Sequence, residues 1–204
     1  MLITLGIIGI VAAMTIPTLI SSYRKKEYSV RLKRFYSTMQ QAIQLSSIDN
    51  GDPKNWNYPT SGSSPEIIME FWNTYFGQYF KSVAKVNVRE SDSVIIVYFL
   101  DGSKLTMQRS GVINLYYDVN GDSPPDEAGV DNYTFLLRIY KNNNAGRFSP
   151  YDWQDDIKPD DEEFTKDMAD RENVLKLCKK SRAHCSQLLM LDNWEFKDDY
   201  PFKI

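Results

Sequence analysis

No charged residue occurs in the first twenty positions, MLITLGIIGIVAAMTIPTLI, and this feature constrains the chain more than any other. Twenty helical residues at about 1.5 Å each extend roughly 30 Å, the hydrocarbon thickness of a bilayer. The stretch therefore reads as a membrane span. A cleavable secretory signal has a shorter apolar run, preceded by Lys or Arg and followed by small residues at the cut. Here the basic cluster Arg24, Lys25 and Lys26 comes after the apolar run, and no basic residue precedes it. Taken alone, that asymmetry places the following domain in the cytoplasm.

Helical periodicity continues past the span. Tyr28, Leu32, Phe35, Met39, Ala42 and Ile43 recur at three- and four-residue steps, while Lys26, Glu27, Arg31, Lys33, Arg34, Gln40 and Gln44 occupy the other face. One helix is predicted to about Ser47, apolar over 1–22 and amphipathic over 23–48, ended by Asp49, Asn50 and Gly51. Pro17 removes a backbone donor inside the apolar half, where it kinks or locally melts a helix. Gly6 and Gly9, with Ala12 and Ala13, form a small-residue face on which another helix approaches closely.

The run LITLGIIGIVAAMTIPTLI, leading into an amphipathic helix with a basic start, resembles the N-terminal segment of type IV pilins and of type II secretion pseudopilins. Gly9 and Pro17 fall on that family's glycine and proline positions. In the family, a basic leader ending in Gly precedes Phe-Thr-Leu-x-Glu; prepilin peptidase removes the leader and the new N-terminus is methylated. Met1 stands just after the place of that glutamate, so the cleavage Gly, the Phe and the Glu are absent here. The resemblance, which covers about the first 45 residues, implies either a natural reading frame that starts further upstream or a relative that is not processed, and the close fit of the remaining residues favours the first. It also implies a single-pass inner-membrane protein with its head in the periplasm, reversing the orientation read from the basic cluster alone.

The head, residues 49–204, starts with a polar linker to Ser64. Ser64, Pro65 and Glu66 mark a helix start, and the aromatic-rich run from Ile67 to Phe80 supplies its apolar face. Strand patterns follow at Ser93–Leu100, Ser103–Gln108, Val112–Tyr117 and Tyr133–Tyr140, the first two joined by an Asp101-Gly102 hairpin. These predict an α+β fold: a roughly four-stranded antiparallel sheet covered by the amphipathic half of the first helix, the roll that the pilin resemblance also implies.

Asp118, Asn120 and Asp122 alternate as oxygen ligands do at the start of a calcium loop, with Asp126 and Asp131 available to complete a shell. The full EF-hand pattern fails, since Ser123 and Gly129 replace its turn glycine and its bidentate glutamate. The other reading of the same residues is a turn whose side chains cap their own backbone. Some pseudopilins hold calcium in a loop beside the sheet, so the resemblance implies calcium as the one candidate cofactor.

Acidic residues continue from Asp152 to Glu163. Residues 118–171 carry 14 acids and 6 bases, whereas residues 1–50 carry 6 bases and 2 acids. No two carboxylates are held at a fixed separation for glycoside hydrolysis, and a solvated acidic face is the simpler reading. A net charge of −3 offers no field to hold nucleic acid. One His and two Cys leave little for nucleophilic or zinc chemistry, and no enzyme is expected.

Cys178 and Cys185 enclose KKSRAH, a spacing that closes into a disulfide in an oxidising compartment. The following Gln187–Leu191 reads as an apolar strand before an aromatic tail, an ending similar to that of some pilin-like proteins. Together these features predict a structural subunit that polymerises through its N-terminal helix with identical or related copies, in a pilus-like filament or a secretion pseudopilus. The alternative is a membrane-tethered binding module that does not polymerise.

Overall fold

Helix α1 occupies Leu2–Asn50 in one run that continues through Pro17. It ends at Gly51, whose φ of +77° is the left-handed geometry glycine adopts at little cost. The computed structural model describes residues 2–60, 63–89, 91, 94–110, 112–139, 146–152 and 168–204, with side chains for all of these except 2–12, 14, 109, 110, 139, 146 and 147. The predicted helix holds, with a few residues added at its end.

Helix α2, Pro65–Tyr75, begins as its sequence dictates, with Ser64 at the cap, Pro65 in the first turn and Glu66 beside it. The Ser64 hydroxyl bonds the Glu66 carboxylate and holds it below the usual range rather than capping the backbone. The run to Phe80 divides here, since the helix stops at Tyr75 and Gly77–Tyr79 form a 3-10 turn.

Among the described residues the sheet has six strands: β1 Val83–Arg89, β2 Val94–Phe99, β3 Lys104–Ser110, β4 Val112–Asp118, β5 Asn132–Ile139 and β6 Gly146–Pro150. They lie in chain order, each antiparallel to the next. The expected four strands are β2 to β5, and β1 and β6 correct the count. Both are edge strands. β1 intersperses its valines with charge, and β6 reads GRFSP, with Pro150 where a missing donor is tolerated at an edge.

Register places the apolar residues in rows across the sheet. Ile95, Met107, Leu115 and Phe135 form one row; Val97, Leu105, Tyr117 and Tyr133 form the next. Against this face α1 lays Tyr28, Leu32, Phe35, Met39 and Ala42, all buried. The Phe35 ring stacks on Tyr117 at 4.0 Å between centroids and meets Phe135 edge-on. Helix α2 adds Ile68, Phe71 and Trp72 to the same core. The amphipathic half of α1 is thus the cover that the sequence pattern called for.

The C-terminal region corrects a further expectation. Two helices, α3 Arg171–Lys180 and α4 Cys185–Leu191, flank a 3-10 turn, and Gln187–Leu191 lies in α4 rather than in a strand. Cys185 to Leu189 are all buried, so the segment carries no amphipathic period, and a short apolar run of that kind fits either element. Cys178 and Cys185 form the expected disulfide, with S–S at 2.01 Å.

Candidate functional site

Two places concentrate the features singled out in the sequence: the exposed surface of α1 and the loop from Asp118 to Asp131.

Among the described side chains of α1, the first that the head partly covers is Ser21, whose hydroxyl donates to the Ile204 carbonyl at 2.9 Å. Before it, Ala13 and residues 15–20 are exposed, including Ile16 at 52%, Leu19 at 72% and Ile20 at 48%. Hydroxyls in this stretch bond back to the helix, Thr18 to the Thr15 carbonyl at 2.8 Å and Ser22 to the Thr18 carbonyl at 2.9 Å, which removes their donors from the apolar surface. Gly6 and Gly9 belong to α1, but their surroundings lie outside the described residues. Among the described residues, no helix is long and apolar enough to cross a membrane.

Arg31 was expected on the solvated face, yet it joins the helix to the head. Its guanidinium donates to the Asp101 carbonyl at 2.9 Å, to the Val119 carbonyl at 2.7 Å and to Glu27 at 2.8 Å. One arginine thereby ties α1 to the β2–β3 turn and to the start of the acidic loop. No periodicity argument could have found this, because the partners are carbonyls of distant turns.

The acidic loop hangs between β4 and β5. Asp131, fully buried, accepts the Asp126 N–H at 3.0 Å, the Glu127 N–H at 2.7 Å and the Asn120 side-chain amide at 3.1 Å. Asp118, also fully buried, accepts the Asn120 N–H at 3.1 Å. These are the self-capping contacts of a turn. Gly121, at φ +71°, passes so close to the β2–β3 turn that an added Cβ would sit 2.3 Å from the Gly102 carbonyl oxygen.

Lys104 on β3 supplies a positive charge to this loop. Its ammonium lies 3.1 Å from Asp122, 3.6 Å from Asp118 and 4.0 Å from Asp126. Burial opposes that charge, but the Asp122 hydrogen bond and the Asp118 and Asp126 carboxylates raise Lys104 above the ordinary lysine range. Asp118 moves the opposite way for its type. Loss of solvent lifts its carboxyl to about 7, offset in part by the Asn120 N–H and Lys104 and reinforced by Asp131 and Asp126.

Two buried oxygens in the loop, Asp118 Oδ2 and Asn120 Oδ1, have no hydrogen-bond partner, which is what a hard cation seeks. The rest of the donor set does not fit calcium as arranged. Both Asp131 oxygens already accept N–H groups, and Asp118, Asp122 and Asp126 all face the lysine. Among the described residues no three carboxylate, His or Cys groups converge on a metal position. The acidic run beyond Asp152 lies almost wholly at 153–167, outside the described residues.

The C-terminal region braces the loop, a role that the sequence left unread. Arg182 donates to Glu127 at 2.7 Å and stands 4.3 Å over the Phe202 ring; the Tyr200 hydroxyl donates to the Gly129 carbonyl at 2.6 Å. Gly129 packs so tightly on the disulfide that a Cβ there would meet Cys185 Sγ at 3.2 Å.

Residues 18–204 match a family of unknown function, DUF6613. No curated protein and no solved structure matches the chain.

Proposed function

The chain belongs to the DUF6613 family, and on that premise, which transfers no activity, we propose that it is a structural subunit that polymerises through α1 into a pilus-like filament or a secretion pseudopilus. The observation that carries this reading is the division of α1. From Tyr28 to Ala42 one face is buried in the head, whereas Ile16, Leu19 and Ile20 are left exposed on a helix that continues to Leu2. Apolar side chains such as these, which their own head does not cover, need another environment.

Lipid and neighbouring stems meet that need in turn. Within a bilayer, apolar stems gain little by leaving lipid for one another, and close packing of small residues such as Gly6 and Gly9 decides the contact. Once the stem leaves the membrane, each large apolar side chain kept from water contributes about 1.5–3 kcal/mol. The subunit sits in the inner membrane with its head in the periplasm before assembly. Its partners are further copies or related subunits, together with prepilin peptidase acting on a precursor that carries the leader.

The test restores an upstream leader, Phe and Glu to the chain in a host with the assembly machinery and adds Ile10→Cys. A ladder of crosslinked subunits is expected. Recovery of unprocessed monomer alone, or of a processed species that never crosslinks, overturns the reading in favour of a tethered head.

A further inference from the structure

The exposed apolar surface of α1 does not end with its apolar half. Ile16, Ile20, Tyr23 and Val30 are 52%, 48%, 67% and 59% exposed, and Leu45 and Ile48 are 50% and 78% exposed on the same side. At about 100° per residue these six fall within an arc of roughly 80°, its centre about 130° round the helix from that of Tyr28, Leu32, Phe35 and Met39, which face the sheet. A solvated helix face has no need of such a stripe. Here it extends into the amphipathic half, where the sequence pattern assigned only polar residues to the outer side.

The stripe has a coiled-coil period with two charges set into it. Positions 16, 20, 23, 27, 30 and 34 alternate steps of four and three, which is the spacing of a helix-packing seam. Four are apolar; the remaining two are Glu27 and Arg34, seven residues apart and of opposite sign. Arg34 is exposed and makes no ion pair among the described residues, while Glu27 is held at the helix surface by Arg31. Polar groups within such a seam specify register. Copies packed side by side in register would set Glu27 against Glu27 and Arg34 against Arg34. A shift of one heptad, roughly 10 Å along the axis, sets Glu27 against Arg34 and Tyr23 against Val30.

We infer that a second copy of this chain packs along this stripe, parallel and displaced by seven residues, with Glu27 of one copy facing Arg34 of the next. The inference rests on the filament reading and adds its register. A shifted contact between like subunits does not close on itself, so repetition builds an open helical array. The partner is specified by the seam itself, because the stripe is complementary in charge to a displaced copy of itself.

The test uses the full chain reconstituted in liposomes, with chemical crosslinking to read the oligomer distribution. Glu27→Arg and Arg34→Glu should each lower crosslinked oligomer tenfold or more, and the double exchange should restore it to within twofold even though Glu27→Arg also removes the Arg31 ion pair and lowers head melting. A chain carrying Tyr23→Cys and Val30→Cys should form disulfides between copies under oxidation, whereas either change alone should not; the native pair, fully buried, stays apart from this exchange. Oligomers that form normally but ignore both charge changes, or that link position 16 to position 45 as antiparallel helices would, overturn the register and leave the filament reading standing. Absence of any association by the unaltered chain overturns both.

Discussion

Asp118 shows how much one buried carboxylate can set. Its carboxyl moves from 3.8 to about 7 because burial removes its water, and Lys104 at 3.6 Å offsets this only in part. A raised folded-state value means that the native state takes up a proton. That advantage is complete below about pH 4 and is lost as pH rises through 7, leaving a penalty of about 2–4 kcal/mol in the ionised form. Asp118→Asn keeps the acceptor for the Asn120 N–H and removes the charge. It should raise stability by about 1–3 kcal/mol at pH 8 and by little at pH 4, measured as urea unfolding midpoints at the two pH values. Gly121→Ala is the opposite case, since it combines a left-handed φ with a 2.3 Å approach to a carbonyl. A loss of about 2–4 kcal/mol is expected from thermal unfolding. The sequence named Asp118, Asn120, Asp122, Asp126 and Asp131 as one constellation, and they do share one loop. What it could not supply was Lys104, because a residue on a neighbouring strand enters the loop only through sheet register.

Among the elements, those with strong period or punctuation were legible and those at the margins were not. Helix α2 carried its own start signal, and β2 to β5 carried alternation and an Asp-Gly turn. Both edge strands lacked such marks, since an edge is kept short, charged or proline-bearing to discourage further pairing. Helix α4 was misread as a strand because burial on every side erases amphipathicity. The disulfide was legible from spacing alone, and its effect reaches beyond the two helices it joins. Cys178→Ser with Cys185→Ser should cost about 2.5 kcal/mol by the chain-entropy account. It should also speed hydrogen exchange at Glu127 to Asp131, because Gly129 rests on Cys185 Sγ. Unchanged exchange in that loop would show that Arg182 and Tyr200 suffice to hold it.

Across the whole molecule, the inner face of α1 completes the head, while its outer face and residues 15–20 lie outside the head's core. A chain shortened to residues 21–204 should therefore keep its fold. The residues removed include Ile16, Leu19 and Ile20, all exposed, so the melting temperature should fall by less than about 4 °C while sedimentation reports a strict monomer. A large fall in melting temperature would mean that the leading end contributes to the head after all.

The sheet's neighbour-to-neighbour strand order carries a consequence for how the chain reaches this state. Every strand pairs with its neighbour in the chain, β2 with β3 through a tight turn that forms in microseconds and β4 with β5 across the loop from Val119 to Asp131, so the sheet relies on no remote segment. Docking the helix is another matter. Arg31 must meet a carbonyl 88 positions away and Ser21 one 183 positions away, so the helix that is made first is seated last. Through that interval its greasy side faces whatever surrounds it. Storage in lipid would chaperone the waiting stem until the finished sheet is there to receive it.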